Sequence, residues 1–128
     1  MKMKNVRIIG NVLIKNEIAV QSINFKKYLP IGKPKILIDF LSTWGIHEII
    51  VLDINGSIKD STYLKDNLKE ITKNSNTPIS AGGGIKNIKD VENLIRGGAD
   101  KVVINSNGIL NPKLIKKSAL EFGNQAVI

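Results

Sequence analysis

The chain has 128 residues, 42% of them hydrophobic, and no run near the roughly 20 apolar residues that span a membrane, nor a signal peptide in "MKMKNVRIIGNV". One domain with a buried core, in the cytoplasm, is expected. Without cysteine and with His47 as the single histidine, disulfides, thiol catalysis and cysteine-based metal sites are excluded, and no metal or cofactor is expected. The net charge of +8 comes from scattered lysines, with Arg7 and Arg96 the sole arginines, which suits small anions such as phosphates rather than nucleic acid.

In chain order, "VRIIGNVLI" (Val6 to Ile14) predicts a first strand. Leu37, Leu41 and Trp44 then recur on one helix face, and Gly45 stops that helix. "HEIIVLDI" (His47 to Ile54) is the second strand, followed by a helix on Leu64, Leu68 and Ile71. "TPISA" (Thr77 to Ala81) is the third, running into three consecutive glycines. The next helix carries Ile88, Val91 and Ile95, opened by Asn87 with Asp90 three residues on and closed by Gly98. "DKVVINS" (Asp100 to Ser106) is the fourth strand. Asn111-Pro112 marks an N-cap and first helical position, Ile115, Ala119 and Phe122 a helix face, Gly123 its stop, and "QAVI" the start of a fifth strand.

The decapeptides "GIHEIIVLDI" and "GADKVVINSN" align, so the chain repeats a β-α unit. Nearly continuous apolar runs such as "IIVL" suit parallel strands buried on both faces. A doubly wound sheet wants a glycine-rich turn after its first strand, and "GNVLIKNE" supplies none. A (β/α)8 barrel puts its working loops at the carboxyl ends of the strands, where Asp53, the glycines and Asn105-Ser106 fall here. The expected fold is therefore α/β: half of a (β/α)8 TIM-type barrel, with four βα units plus the start of a fifth strand. A whole barrel takes about 250 residues. Residues 1–128 read as a single half-barrel domain, incomplete relative to the full barrel, with two unpaired sheet edges.

Glycines between a strand and a helix let backbone N–H groups close on an oxyanion at the helix N-terminus. A tight turn without a ligand explains them equally well. Asn105 and Ser106 favour the anion, because a neighbouring strand would bring their donors to the same place. Their bland role is to cap the loop before Asn111.

At this point the residues resemble a family. "RIIGNVLIKN", "VQSINF", "IIVLDI", "AGGGIKN", "GGADKVVINS" and "NPKLIKKSALEFGNQAV" are similar, in order, to the amino-terminal half of the cyclase subunit of imidazole glycerol phosphate synthase. The resemblance covers nearly the whole chain. It implies a barrel with one phosphate site per half, which takes ammonia from a glutaminase docked at the amino-terminal face and uses it in lyase and cyclisation chemistry in histidine biosynthesis. It also implies that Gly83, Gly84, Asn105 and Ser106 hold a substrate phosphate. Asp53 would line the site, or else cap its own loop. Arg7, Glu48 and Lys101 match members of a charged ring gating the ammonia entrance, and Asp100 a position facing the glutaminase; a solvated rim of unrelated charges is the alternative.

The match fails at the chemistry. The family's acid near the end of the first strand is Leu13 here, its loop lysine is Gln21, and its second aspartate would follow Ile128. Proton transfer needs a titratable group, and leucine has none. No catalytic residue is therefore assigned within the chain. Relatives that deliver ammonia for amidation of bacterial surface sugars share such a pattern, so a cyclase-deficient ammonia-delivering role stays open beside the cyclase. A non-enzymatic half-barrel that self-associates or meets a second half-barrel is the third possibility. His47 and the tyrosines, Tyr28 and Tyr63, read as rim and loop packing, and Trp44 as facing the core or a partner.

Overall fold

The computed structural model describes residues 5–57 and 62–128. Its sheet is built on four short apolar segments, β1 (Ile9–Lys15), β4 (Glu48–Asp53), β5 (Ile79–Gly82) and β6 (Lys101–Val103), which lie parallel and adjacent. Between them run α1 (Pro34–Thr43), α2 (Tyr63–Thr72) and α3 (Ile88–Arg96). After β6 come a short α4 (Ser106–Leu110) and then α5 (Pro112–Phe122). This is the βα repeat read from the sequence, as an open layer rather than a closed barrel. Among the described residues no helix is long and apolar enough to cross a membrane.

Alternation along the strands separates two faces. Val12, Ile14, Ile49, Val51 and Val102 are fully buried and pack on the helices with Ile38, Leu68, Val91 and Leu94. The residues between them point the other way. Cross-strand partners share a face, and the register aligns Leu13 with Leu52, Leu52 with Gly82, and Gly82 with Val103. Leu13, Ile50, Leu52 and Val103 are half-buried, not buried on both faces as the apolar runs predict, because no second layer covers that side.

The sequence reading places a loop after the first strand, and here the structure corrects it. A β-hairpin, β2 (Ile18–Ile23) and β3 (Lys27–Gly32), adds antiparallel to β1 and completes the order β3-β2-β1-β4-β5-β6. Its two tight turns use Asn16-Glu17 and Asn24-Phe25, all at positive φ between 49° and 66°. Such turns advertise themselves through Asn-Gly or Asp-Gly; Glu and Phe in the second place hide them. The hairpin pairs only with Leu13–Lys15, so that edge is covered at its carboxyl end and open at Ile9–Val12.

Other expectations shift by smaller amounts. The first strand begins at Ile9, not Val6. "QAVI" forms a short 3-10 turn over Asn124–Ala126, then Val127 bridges Val102 in parallel, a single-residue start to a fifth strand. Asn87 caps α3 through its side chain as expected, accepting from the Asp90 N–H at 3.0 Å, whereas Asn111 makes no side-chain cap and Pro112 alone marks that helix start. Trp44 faces neither core nor sheet: it is 73% exposed, its ring 5.5 Å from that of Phe40.

Candidate functional site

The open face of the sheet carries chemistry at both ends. At the amino-terminal end Glu48 is only 5% exposed and holds three partners. The Ser80 hydroxyl donates to Oε1 at 2.6 Å, Lys101 Nζ lies 3.6 Å from the same oxygen, and Arg7 Nη2 lies 3.6 Å from Oε2. Register explains the grouping, since Ser80 pairs with Ile50 on one side and Lys101 on the other, all pointing to the open face. The structure thus brings Arg7, Glu48 and Lys101 together. Ser80 was missed; its signal was a hydroxyl at an inward position of the otherwise apolar "PISA".

The strand starts around this cluster are pinned by backbone pairing. The Ile8 N–H donates to His47 Nδ1 at 2.9 Å while the His47 N–H donates to Ile8 O at 3.0 Å, a rim-packing role. Asp100 does the same for β5, its N–H donating to Ile79 O and its carboxylate accepting the Ile79 N–H, both at 2.8 Å. Asp100 is otherwise exposed on this rim.

At the carboxyl-terminal end, what crowds the glycines is the neighbouring backbone. A Cβ on Gly82 would stand 2.8 Å from that of Val103; one on Gly83 would run into the Asp53 backbone, and one on Gly84 into that of Gly56. Gly83 and Gly84 also have φ of 111° and 67°, which strain L side chains. The tight-turn reading is therefore sufficient for the missing side chains. The far side of the turn is braced by Asp90, whose carboxylate accepts Lys65 Nζ at 2.7 Å and the Lys86 N–H at 2.9 Å. Burial pushes this carboxyl up, but the Lys65 bond and charge with the Lys86 and Asn87 N–H groups carry it below the usual range.

Between the glycine turn, β6 and the hairpin lies a cavity of about 300 Å³. Gly83, Gly84, Asp53, Asn105 and Ser106 all line it. Asp53 also accepts the Asn55 N–H at 2.9 Å, so the lining and loop-capping roles coexist in one buried carboxylate. Asp53 with Glu17 also pushes the Tyr63 hydroxyl up, after burial as the larger cause. Ser106 and Asn107 open α4, where the first N–H groups of a helix have no intrahelical acceptor. Asn107, which sequence reasoning passed over, donates from its side chain to Ile85 O at 2.7 Å and locks that helix start to the glycine turn.

The remaining walls are apolar. Leu13 sits in the floor with Leu52 and Val103, so no carboxylate enters from β1. The hairpin supplies Ser22, Phe25 and Tyr28. Tyr28 is therefore a wall of the cavity and not the mere loop filler expected of it; the unrecognised hairpin hid this.

Fold and site together define a class: an open half-barrel of βα units, with a charged cluster at the amino ends of its strands and a cavity lined by the glycine turn and the start of α4 at their carboxyl ends. The chain belongs to the histidine biosynthesis protein family, a family of (β/α)8 barrels whose sequence profile matches residues 7–128. It is 42% identical, over 98% of its length, to a Vibrio vulnificus protein named provisionally as imidazole glycerol phosphate synthase subunit hisF2, of which it covers 46%. It is 38% identical over 85% of its length to imidazole glycerol phosphate synthase subunit HisF of Clostridium botulinum strain Langeland, covering 43% of that protein. With the HisF subunit of Flavobacterium psychrophilum it shares 37% identity over 95% of its length and 49% of the relative's. The chain spans about half the length of the curated relatives it matches.

Proposed function

We propose that this chain is the amino-terminal half of a HisF-like subunit that grips a phosphorylated small molecule at the carboxyl end of its sheet and admits ammonia at the amino end. The carrying observation is that one sheet face holds both devices. The Glu48 cluster with Arg7 and Lys101 stands at the entrance, and the cavity with Gly83, Gly84, Asn105 and Ser106 at the exit. In this reading the turn amides and the first N–H groups of α4 hold the phosphate, Asp53 lines the site, and the rim around Asp100 meets a glutaminase subunit.

Further βα units would cover the remaining surfaces. The outer helices α1 and α5 expose Ile36, Phe40, Trp44 and Leu120, whereas the inner helices α2 and α3 expose no large apolar residue. The relatives are about twice as long. A second set of βα units against α1, α5 and the open Ile9–Val12 edge closes the barrel.

Leu13 favours a second reading of the chemistry. With leucine in the cavity floor, no proton donor stands where the first strand ends. Ammonia passes, but cyclisation at this position does not proceed, and the barrel serves an acceptor elsewhere. The test is glutamine-dependent cyclisation by a barrel completed with the carboxyl-terminal half of a relative, with Leu13 and with Leu13→Asp. Robust turnover with Leu13 intact removes the delivery reading and leaves the cyclase. Glutaminase stimulation without cyclisation supports delivery, and failure of a glutaminase subunit to bind removes the ammonia reading altogether.

A further inference from the structure

Three observations on the hairpin wall of the cavity and the lysine beside it have no part in the reading above. Ser22 Oγ is buried and has no hydrogen-bond partner among the described residues. Ser22 lies directly opposite Tyr28 in the β2–β3 register, so the two share a face, and both line the cavity. Lys15 Nζ rests 3.9 Å from the centroid of the Tyr28 ring and pairs with no carboxylate among the described residues.

Ser22 and Lys15 are the two groups short of a partner among the described residues. A buried hydroxyl left unpaired is unfavourable, and proteins retain few of them. A lysine charge lying on a ring face is held by a weak contact that an anionic or polyhydroxylated ligand can outbid. Lys15 follows Leu13 by two residues on β1, which puts it on the cavity side of the strand, just beyond the apolar floor. The glycine turn and the start of α4 form the opposite wall.

We propose that Lys15 and Ser22, backed by the Tyr28 ring, form a second recognition wall that reads the body of a sugar phosphate whose phosphate end sits on the glycine wall. Lys15 takes a hydroxyl or anionic oxygen of that body, the Ser22 hydroxyl gains its missing hydrogen bond, and the ring covers an apolar face of the sugar. At about 300 Å³ the cavity holds a molecule of that size. The inference rests on the phosphate reading of the opposite wall.

The experiment is titration of the full 128-residue chain with inorganic phosphate and with ribose 5-phosphate, by calorimetry and by amide NMR shifts. Lys15→Met is expected to weaken ribose 5-phosphate about tenfold and Ser22→Ala about fivefold, with inorganic phosphate changed much less. Lys15→Arg keeps the charge and most of the affinity. Since Lys15 holds no ion pair among the described residues, unchanged melting of Lys15→Met confirms that the loss is not one of folding. Ribose 5-phosphate affinity that stays within about twofold in both variants overturns the hairpin wall, and if phosphate still shifts the Gly84 and Ser106 amides the phosphate reading survives it. Ribose 5-phosphate that shifts Ser22 and Tyr28 while phosphate alone shifts nothing supports the hairpin wall and removes the phosphate grip. Binding of neither probe overturns both.

Discussion

The two ends of the open sheet face are built on opposite plans. At the amino end, Glu48 is buried and paired within its own chain: one hydroxyl and two cations meet its two oxygens. At the carboxyl end, a cavity is walled by a serine hydroxyl without a partner among the described residues, the start of α4 and glycines crowded by backbone. The first arrangement finds its partners within its own chain. The second is incomplete and gains by taking something in. A rim of that kind tolerates substitution at its exposed members, whereas the cavity end depends on a backbone path that side chains cannot occupy.

The sharpest way to break this contrast is Gly83→Ala. The new Cβ would meet the Asp53 backbone at a residue whose φ is 111°, and backbone cannot rotate aside as a side chain can. A loss of about 3 kcal/mol is expected, read by chemical denaturation. A loss below about 1 kcal/mol would mean that the turn can relax and that crowding does not explain the glycines. At the rim, Glu48→Ala is expected to cost about 2 kcal/mol, since it strips a fully buried Ser80 of its acceptor and leaves two cations side by side. Ser80→Ala removes only the hydroxyl and should cost less than Glu48→Ala.

Asp90 links the two plans, because it is a paired carboxylate in the service of the cavity. Its bonds to Lys65 and the Lys86 N–H fix the glycine turn against α2 and α3. Asp90→Asn is expected to lose about 1 kcal/mol at neutral pH. The folded carboxyl titrates below its ordinary 3.8. Its contribution is therefore full above that value and fades as pH falls through the lower, folded one. Denaturation at descending pH should show wild type converging on Asp90→Asn only in strong acid. Convergence already near pH 5 would show that Asp90 does not hold the turn in its ionised form.

Much of the fold was legible because its signals are local and repeated. "IIVL" and "KVV" marked strands, though only one of their faces is fully buried, and the glycine stops and Asn87 cap marked the α1 and α3 boundaries. Arg7, Glu48 and Lys101 were legible only through resemblance; nothing in their spacing says that three strands set them within reach of one another. The hairpin was not legible. Its turns place Glu17 and Phe25 in a left-handed conformation that those residues disfavour, so the usual turn chemistry is absent. That single omission hid Ser22 and Tyr28, and with them one wall of the cavity. Ser80 and Asn107 escaped for another reason: a hydroxyl or amide counts only once the register shows what lies opposite.

The smallest effect tests the rim most closely. Arg7 and Lys101 stand at equal 3.6 Å distances from Glu48, but their side chains are 63% and 36% exposed. Water screens the Arg7 contact more, and holding a long exposed side chain in place offsets much of its attraction. Arg7→Ala should therefore change stability by less than about 0.5 kcal/mol, and Lys101→Ala by more, because Lys101 is the better shielded of the two. The order matters beyond stability. If the cluster is a gate, the weakly held cation is the part that swings and Glu48, clamped by Ser80, is the post. A larger loss for Arg7→Ala than for Lys101→Ala would reverse those roles and place the moving part on β6.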